Sequence, residues 1–204
     1  QEQATDQAVG VTAMEVRPES ASLMQFLMGQ GLGEATDTLI IDQYLCVGCD
    51  NCEQACAETH AGISCLNRTA GATFANVHVP VSCRHCEHPH CMKDCPPNAI
   101  KRSTNGQVFI DESCIGCANC EANCPYGAIR MEYPAVRKPG LFSWLLLGRG
   151  PGPGESEARG GGAAKRATKC DACKDQLRGP ACVAACPTGA AQRIAPADFI
   201  SLVR

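Results

Sequence analysis

Hydrophobic positions in this chain fall in short runs, separated by polar, Gly-rich and Pro-rich spacers. Residues 1–19 are polar and aperiodic and read as an arm. From Ser20, the stretch SASLMQFLMG sets an N-cap before Leu23, Met24, Phe26, Leu27 and Met28 at helical spacing, and Gly29, Gly31 and Gly33 end the helix. Thr38-Leu39-Ile40-Ile41-Asp42 and Asn76-Val77-His78-Val79-Pro80 read as strands, with 57–76 a loop between them. Ala99-Ile100 and Val108–Ile110 flank an Asn105-Gly106 turn, which signals a hairpin. Leu141–Leu147 is an apolar patch inside the Gly/Pro-rich stretch 133–168. It is far shorter than the roughly twenty residues a membrane-spanning helix needs. The tail after Ile194 reads as ordinary packing.

Composition changes this picture at one residue type. Aromatics are only 4% of the 204 residues, so a large aromatic core is not expected, yet there are 17 cysteines. That density points to a disulfide scaffold or to metal. The cysteines fall in tight quartets and their total is odd, which fits disulfides badly. The first twenty residues carry no apolar signal-peptide core, so a reducing, cytoplasmic setting is expected. The chain begins without an initiator methionine, which fits a processed chain or a piece of a longer one.

Four quartets account for sixteen cysteines. Motif one is Cys46, Cys49, Cys52 and Cys56; motif two is Cys83, Cys86, Cys91 and Cys95. Motif three is Cys114, Cys117, Cys120 and Cys124, and motif four is Cys170, Cys173, Cys182 and Cys186. Motifs two to four end in Cys-Pro, whereas Ala57 follows Cys56. An apolar run, an aspartate and C-x-G-C recur at Asp42 and Asp111, so one supersecondary unit is repeated. The eight-residue gap in motif four holds a Gly179-Pro180 turn. Cys65, outside every quartet, is expected to be a buried small side chain.

Motif three has the C-x2-C-x2-C-x3-C-P spacing established for bacterial ferredoxins, in which the fourth cysteine serves the neighbouring cluster. Motif two, hairpin and motif three therefore resemble a two-cluster ferredoxin. Motifs one and four are left to form a second pair, which requires the chain to fold back on itself. Four [4Fe-4S] clusters are then expected. Their ligand sets are Cys46, Cys49, Cys52 with Cys186; Cys170, Cys173, Cys182 with Cys56; Cys83, Cys86, Cys91 with Cys124; and Cys114, Cys117, Cys120 with Cys95. Structural zinc draws on separated C-x2-C pairs, which motif four alone would allow. His85, His88 and His90 lie within a motif whose cysteines are complete, so hydrogen bonds to cluster sulfur are expected of them, not ligation. The backbone N–H groups of the Gly-containing loops at Gly48 and Gly116 are expected to act similarly.

The strings C-x-H-C-x2-P-x-C-x3-C-P, CIGC-x2-C-x3-CPYGA and KCD-x-C…GPAC-x3-CPTGA are similar to those of four-cluster electron-transfer subunits of the dimethyl-sulfoxide-reductase type. That family includes beta subunits of formate dehydrogenases, polysulfide reductases and some hydrogenase-linked polyferredoxins. The resemblance covers about residues 37–132 and 169–194. It implies an α+β fold with two ferredoxin-like bicluster modules related by a pseudo-twofold. The outer module would comprise 37–76 plus 169–204 and the inner one 77–132, with 1–36 an N-terminal extension and 133–168 a Gly/Pro-rich insertion. It further implies a non-catalytic relay of single electrons beside a catalytic oxidoreductase subunit, whether a molybdenum or tungsten enzyme, a hydrogenase or a flavoprotein. The Leu141–Leu147 patch and the Ser20 helix are the candidate docking elements. The short loop in motif four and the two extra segments depart from the pattern, and the latter bear on which partner docks.

Charge and the remaining residues agree. Formal net charge is −3, and four oxidised clusters with their thiolates would bring it to about −11, which disfavours nucleic acid. No nucleophile elbow, zincin motif or phosphate loop is present, so enzymatic activity of the chain alone is not expected. An iron–sulfur redox sensor is the alternative of another class; it would favour an incomplete ligand set, and four complete quartets argue against it.

Overall fold

The computed structural model describes residues 18–133, 165–196 and 198. The predicted N-terminal helix forms as α1, Pro18–Gly29. Its Leu27 is buried with Leu32, Val79 and Ile194, flanked by Leu23, Met24 and Phe26. Phe26 stacks on Phe74 with ring centroids 5.6 Å apart. The face that could have met a partner is thus applied to the chain's own sheet, leaving Met28 exposed. The other candidate docking element, Leu141–Leu147, lies outside the described residues.

That sheet has the order β2-β3-β1-β8, all antiparallel, from Asn67–Phe74 (β2), Val77–Val81 (β3), Thr38–Asp42 (β1) and Ala191–Ile194 (β8). The pairing of Thr38 with Ile194 and Ile41 with Ala191 returns the C-terminal segment to the start of motif one. β2 corrects the expectation of a loop over 57–76. Its sequence NRTAGATF is small and polar because it is an edge strand with much of its surface in water, so no alternation of large apolar residues betrays it. The ladder shifts register between Asn67 and Gly71. A Cβ at Gly71 would lie 2.1 Å from the Val79 carbonyl oxygen, so only glycine passes there. β3 pairs with β1 through Ile41 and His78, so this sheet reaches past residue 76, where the sequence reading set a module boundary.

Two short ribbons complete the strands. Ile100–Arg102 (β4) and Val108–Ile110 (β5) form the predicted hairpin, with Ile100 opposite Ile110. Arg130–Glu132 (β6) pairs with Arg166–Thr168 (β7), so the insertion leaves and returns at one ribbon.

Four helices carry the cysteine motifs: Asn51–Thr59 (α2), His90–Lys93 (α3), Asn119–Ala122 (α4) and Ala181–Ala184 (α5). Three of them last one turn, because the Cys-Pro that follows cannot continue a helix. α2 has Ala57 at that place and runs nine residues. α2 packs on α5, and α3 on α4. The result is an α+β architecture in which paired helices, not a large core, bring cysteines of distant motifs together.

Candidate metal centres

Motifs one and three open on a repeated backbone device. Cys46 N–H donates to the Asp42 carbonyl at 2.9 Å and Cys114 N–H to that of Asp111 at 3.4 Å. The same aspartates accept from Tyr44 N–H and Ser113 N–H at 2.9 Å, forming Asx turns that aim the chain into the motif. The residue before the second cysteine then takes positive φ in all four motifs: Gly48 (φ 70), His85 (φ 49), Gly116 (φ 72) and Ala172 (φ 56). A left-handed residue there curls successive N–H groups toward one centre, the geometry of an anion-binding nest. Sequence betrays it at only two of the four.

Each proline-terminated motif closes on another shared device. Asn98, Gly127 and Gly189 adopt positive φ, and their N–H groups donate back to the Cys95, Cys124 and Cys186 carbonyls at 2.9, 3.2 and 3.4 Å. The following turn delivers Ala99 N–H to Cys95 Sγ at 3.3 Å and Ala191 N–H to Cys186 Sγ at 3.4 Å.

Three cavities collect cysteines. One is lined by Cys46, Cys49, Cys52 and Cys186 (site I). Another is lined by Cys83, Cys86, Cys91 and Cys124 (site III), and a third by Cys95, Cys114, Cys117 and Cys120 (site IV). Each combines the first three cysteines of one motif with the last of another. The remaining four, Cys56, Cys170, Cys173 and Cys182 (site II), meet where α2 packs on α5. Cys182 feels the charges of Cys170, Cys56 and Cys173 there, and Cys56, Cys170 and Cys182 share one buried cluster. α2 carries Cys52 and Cys56, and so serves both sites I and II. The α3 and α4 segments do the same for sites III and IV. Cys170 also feels the charge of Cys83, which sets site II beside site III.

The walls suit a polycationic inorganic group. Burial pushes the Cys86 thiol up to about 11 and the Cys91 and Cys182 thiols up to about 12, so these sulfurs resist ionisation until a metal replaces their protons. Backbone N–H groups nevertheless point at cysteine sulfur: besides Ala99 and Ala191, these include Cys65 to Cys56 at 3.2 Å, and His85 to Cys83, Ala172 to Cys170 and Ala181 to Cys173, each at 3.4 Å. Such donors stabilise thiolate, as ligand sulfurs require. Gly48 and Gly116 themselves supply the left-handed turn of their loops.

His85 meets its expectation through the backbone, and its ring adds a second feature. The ring is fully buried, its Nδ1 accepts from Val108 N–H at 2.9 Å, and its Nε2 has no partner among the described residues. Burial, with Lys169 and Arg193 nearby, holds this imidazole at about 2, so Nε2 carries a hydrogen with nowhere in the described protein to donate it. His88 and His90 are exposed and, among the described residues, neither hydrogen-bonds a cysteine sulfur; His90 lines site III and faces Glu34 at 3.7 Å.

Cys65 is buried as expected, 5% exposed. Its thiol hydrogen-bonds to Cys56 and so, against burial, holds that thiol well below its ordinary range. Beside it stands a group the sequence concealed. His60 Nε2 bonds to Asp171 Oδ1 at 2.9 Å, while Nδ1 lies 3.7 Å from Cys56 Sγ. The Asp171 hydrogen bond first, then Cys56, raises His60 to about 11. Arg193 and Lys169 were also missed. Arg193 Nη2 lies 3.0 Å from Cys170 Sγ, and the Lys169 ammonium donates to the Val108 and Cys170 carbonyls. Lys169 directly precedes Cys170 and could have been flagged, but nothing local marks Arg193, seven residues past Cys186.

Comparison with known proteins agrees with this chemistry. A family described as "4Fe-4S dicluster domain" matches residues 74–137, and a second of the same description matches 113–190. Formate hydrogenlyase subunit 2 of Escherichia coli (strain K12) is 35% identical over 184 residues, covering 79% of this chain and 83% of the relative. Electron transport protein HydN of the same strain is 34% identical over 162 residues, 74% of this chain and 84% of its own. Hydrogenase-4 component A is 33% identical over 167 residues, covering 76% and 81%. The chain belongs to the family of ferredoxin-type 4Fe-4S dicluster electron-transfer proteins, non-catalytic subunits that bind [4Fe-4S] clusters.

Proposed function

We propose that the chain holds four [4Fe-4S] clusters in sites I to IV and relays single electrons along the row IV–III–II–I to and from a catalytic oxidoreductase subunit. The observation that carries this reading is the lining of three cavities by three cysteines of one motif plus the last of another. When bound, such a cluster gains and loses one electron with little rearrangement. The residues of the chain do the rest. Helix pairs α2–α5 and α3–α4 hold neighbouring ligand sets against each other, which supports two bicluster modules related by a pseudo-twofold, one from 37–76 and 169–204 with β3 added to its sheet, the other from the rest of 77–132. Buried Cys91, Cys120, Cys170 and Cys182 keep water from the row. The exposed cysteines are Cys49 in site I and Cys117 in site IV. Both are the second cysteine of their motif, so the row ends in water at both ends, where electrons enter and leave. Val47 and Ile115, exposed beside them, give each end an apolar contact surface.

The names of the relatives support a partner of the hydrogenase or formate-oxidising kind over other molybdenum, tungsten or flavin enzymes. No helix among the described residues is long and apolar enough to cross a membrane, and sixteen thiolate ligands suit a reducing, cytoplasmic setting.

The test is metal content and spectroscopy of the full chain purified or reconstituted without oxygen. About sixteen iron and sixteen sulfide per chain are expected, with interacting paramagnets in electron paramagnetic resonance after dithionite. Stoichiometric zinc, or about four iron, would end the proposal. Cys95→Ala tests the crossing: it should remove the cluster of Cys114, Cys117 and Cys120, and loss of the Cys83 cluster alone would contradict the ligand sets.

A further inference from the structure

Among the described residues, the most deeply buried positive charge lies beside sites II and III. Arg193 has a side chain 8% exposed; besides Cys170 Sγ, it contacts Asp37 through Nη1 at 2.9 Å, and the Asp37 side chain is 30% exposed. Lys169 is 5% exposed and lines site III, and its hydrogen bonds go only to carbonyl oxygens. Arg84, 4% exposed, also lines site III; it donates to the Gln30 and Pro80 carbonyls at 3.1 and 3.2 Å and lies over the Tyr126 ring. Among the described residues no carboxylate pairs with Lys169 or Arg84. A buried cation without a counter-ion is costly, so its retention calls for an anion nearby, and the anions to hand are ligand thiolates.

The terminal sites differ. Apart from its cysteines, site IV is lined by apolar side chains and glycine, among them Ile100, Ile110 and Ile115. Site I has a cation at its wall, Arg68, but Asp50 engages both its Nε at 2.7 Å and its Nη2 at 2.6 Å, whereas Asp37 meets Arg193 at Nη1 alone and leaves Nη2 to the Cys170 sulfur.

We infer that sites II and III are where this chain retains electrons, because Arg193, Lys169 and Arg84 make them easier to reduce than sites I and IV. The inference rests on the four-cluster reading above. Each interior site takes up one electron from whichever redox partner reduces the row, gaining one negative charge. Fixed buried cations favour that gain more strongly than they would in water. An electron entering at Cys49 or Cys117 therefore moves inward and stays until drawn off. Two electrons can wait there together, shielded from solvent, with no proton or bond exchanged. The chain is then a two-electron store as well as a conductor, suited to a partner whose chemistry moves electrons in pairs.

The experiment is a stepwise potentiometric titration of the fully loaded chain, followed by electron paramagnetic resonance, in wild type, Arg193→Met and Lys169→Met. Each substitution should lower one of the two highest midpoints, cutting the equilibrium for reduction at least tenfold, about 59 mV for one electron. Arg193→Lys and Lys169→Arg should restore most of the shift, and Arg68→Met should leave the two highest midpoints in place. Cys49→Ser and Cys117→Ser, which leave the interior cations intact, should disturb only the two lowest. Full iron with unmoved highest midpoints, or serine variants that disturb them, would overturn the inference and leave the four-cluster reading standing. Iron well below sixteen in wild type would instead overturn that reading.

Discussion

The two helix pairs are built on one cysteine grammar but supported unequally. The α2–α5 pair backs onto the four-stranded sheet, where Leu39 and Ile41 pack with the cysteines and α1 closes the opposite side through Leu27 and Val79. The α3–α4 pair has only the β4–β5 and β6–β7 ribbons, and its large buried apolar side chains beyond cysteine are Ile100, Val108 and Ile129, with the small Ala99 and Ala128 beside them. Each such side chain contributes about 1.5–3 kcal/mol on burial, while ordering the backbone costs about 1–2 kcal/mol per residue. Three side chains cannot hold a segment running from 83 to 132. The outer region borrows stability from a sheet; the inner one depends on what its cysteines hold. A shared cysteine grammar therefore does not mean identical dependence on metal.

The largest expected effect follows from that inequality. Stripping iron with a chelator under anaerobic, reducing conditions should erase amide-exchange protection across 83–132. Amides of β1, β3 and β8 should keep measurable protection, because their ladder needs no cluster to close. Native-state hydrogen exchange read by mass spectrometry decides this. Protection retained over 100–110 in the iron-free chain, or lost equally in both regions, would erase the distinction.

How much of this was legible follows the same division. The motifs, the hairpin at Asn105-Gly106, the strand at 38–42 and the repeated aspartate could be read because each has a local signal: spacing, a turn dipeptide, an apolar run, an Asx turn. The unpredicted strand β2 lacks one, since an edge strand rich in Thr, Ala and Gly alternates in nothing that hydropathy detects. His60, Asp171, Arg193 and Lys169 acquire their surroundings only when segments more than fifty residues apart meet, as Lys169 does with Val108. The second cysteine turns were half legible: Gly48 and Gly116 advertise positive φ, while His85 and Ala172 adopt it against their own preference, under the constraint of the flanking cysteines.

A smaller effect separates the two glycines. Both sit at φ near +70, so alanine at either place costs about 1–2 kcal/mol in the left-handed region. At Gly48 nothing lies within 4 Å of the new Cβ. At Gly116 it would fall 2.0 Å from the Lys165 carbonyl oxygen, where β7 returns from the insertion. Backbone on both sides must then move. Gly48→Ala should lower holo-protein stability by about the torsional cost alone, and Gly116→Ala by clearly more, with iron lost first from site IV. Chemical denaturation followed by cluster absorbance measures both. Equal losses would mean the Lys165 approach yields freely.

The smallest effect lies one residue past the second cysteine. Asp50 and Ala118 cap α2 and α4 in the left-handed region, at φ 58 and 66. Ala118 has no side-chain bond there to offset its strain, so Ala118→Gly exchanges about 1–2 kcal/mol of local strain for a looser unfolded chain, which takes back about 0.4–1 kcal/mol. A net gain of roughly half a kcal/mol is expected from those two terms. Asp50 tolerates this conformation better and also holds Arg68 at 2.7 Å. Asp50→Gly gains less backbone relief and releases Arg68 beside site I, so its stability should stay level or fall slightly. It should also raise the site I midpoint, since the freed guanidinium then faces the ligand sulfurs unpaired. A stabilised Asp50→Gly with an unmoved midpoint would show that Asp50 neutralises nothing the terminal site can feel.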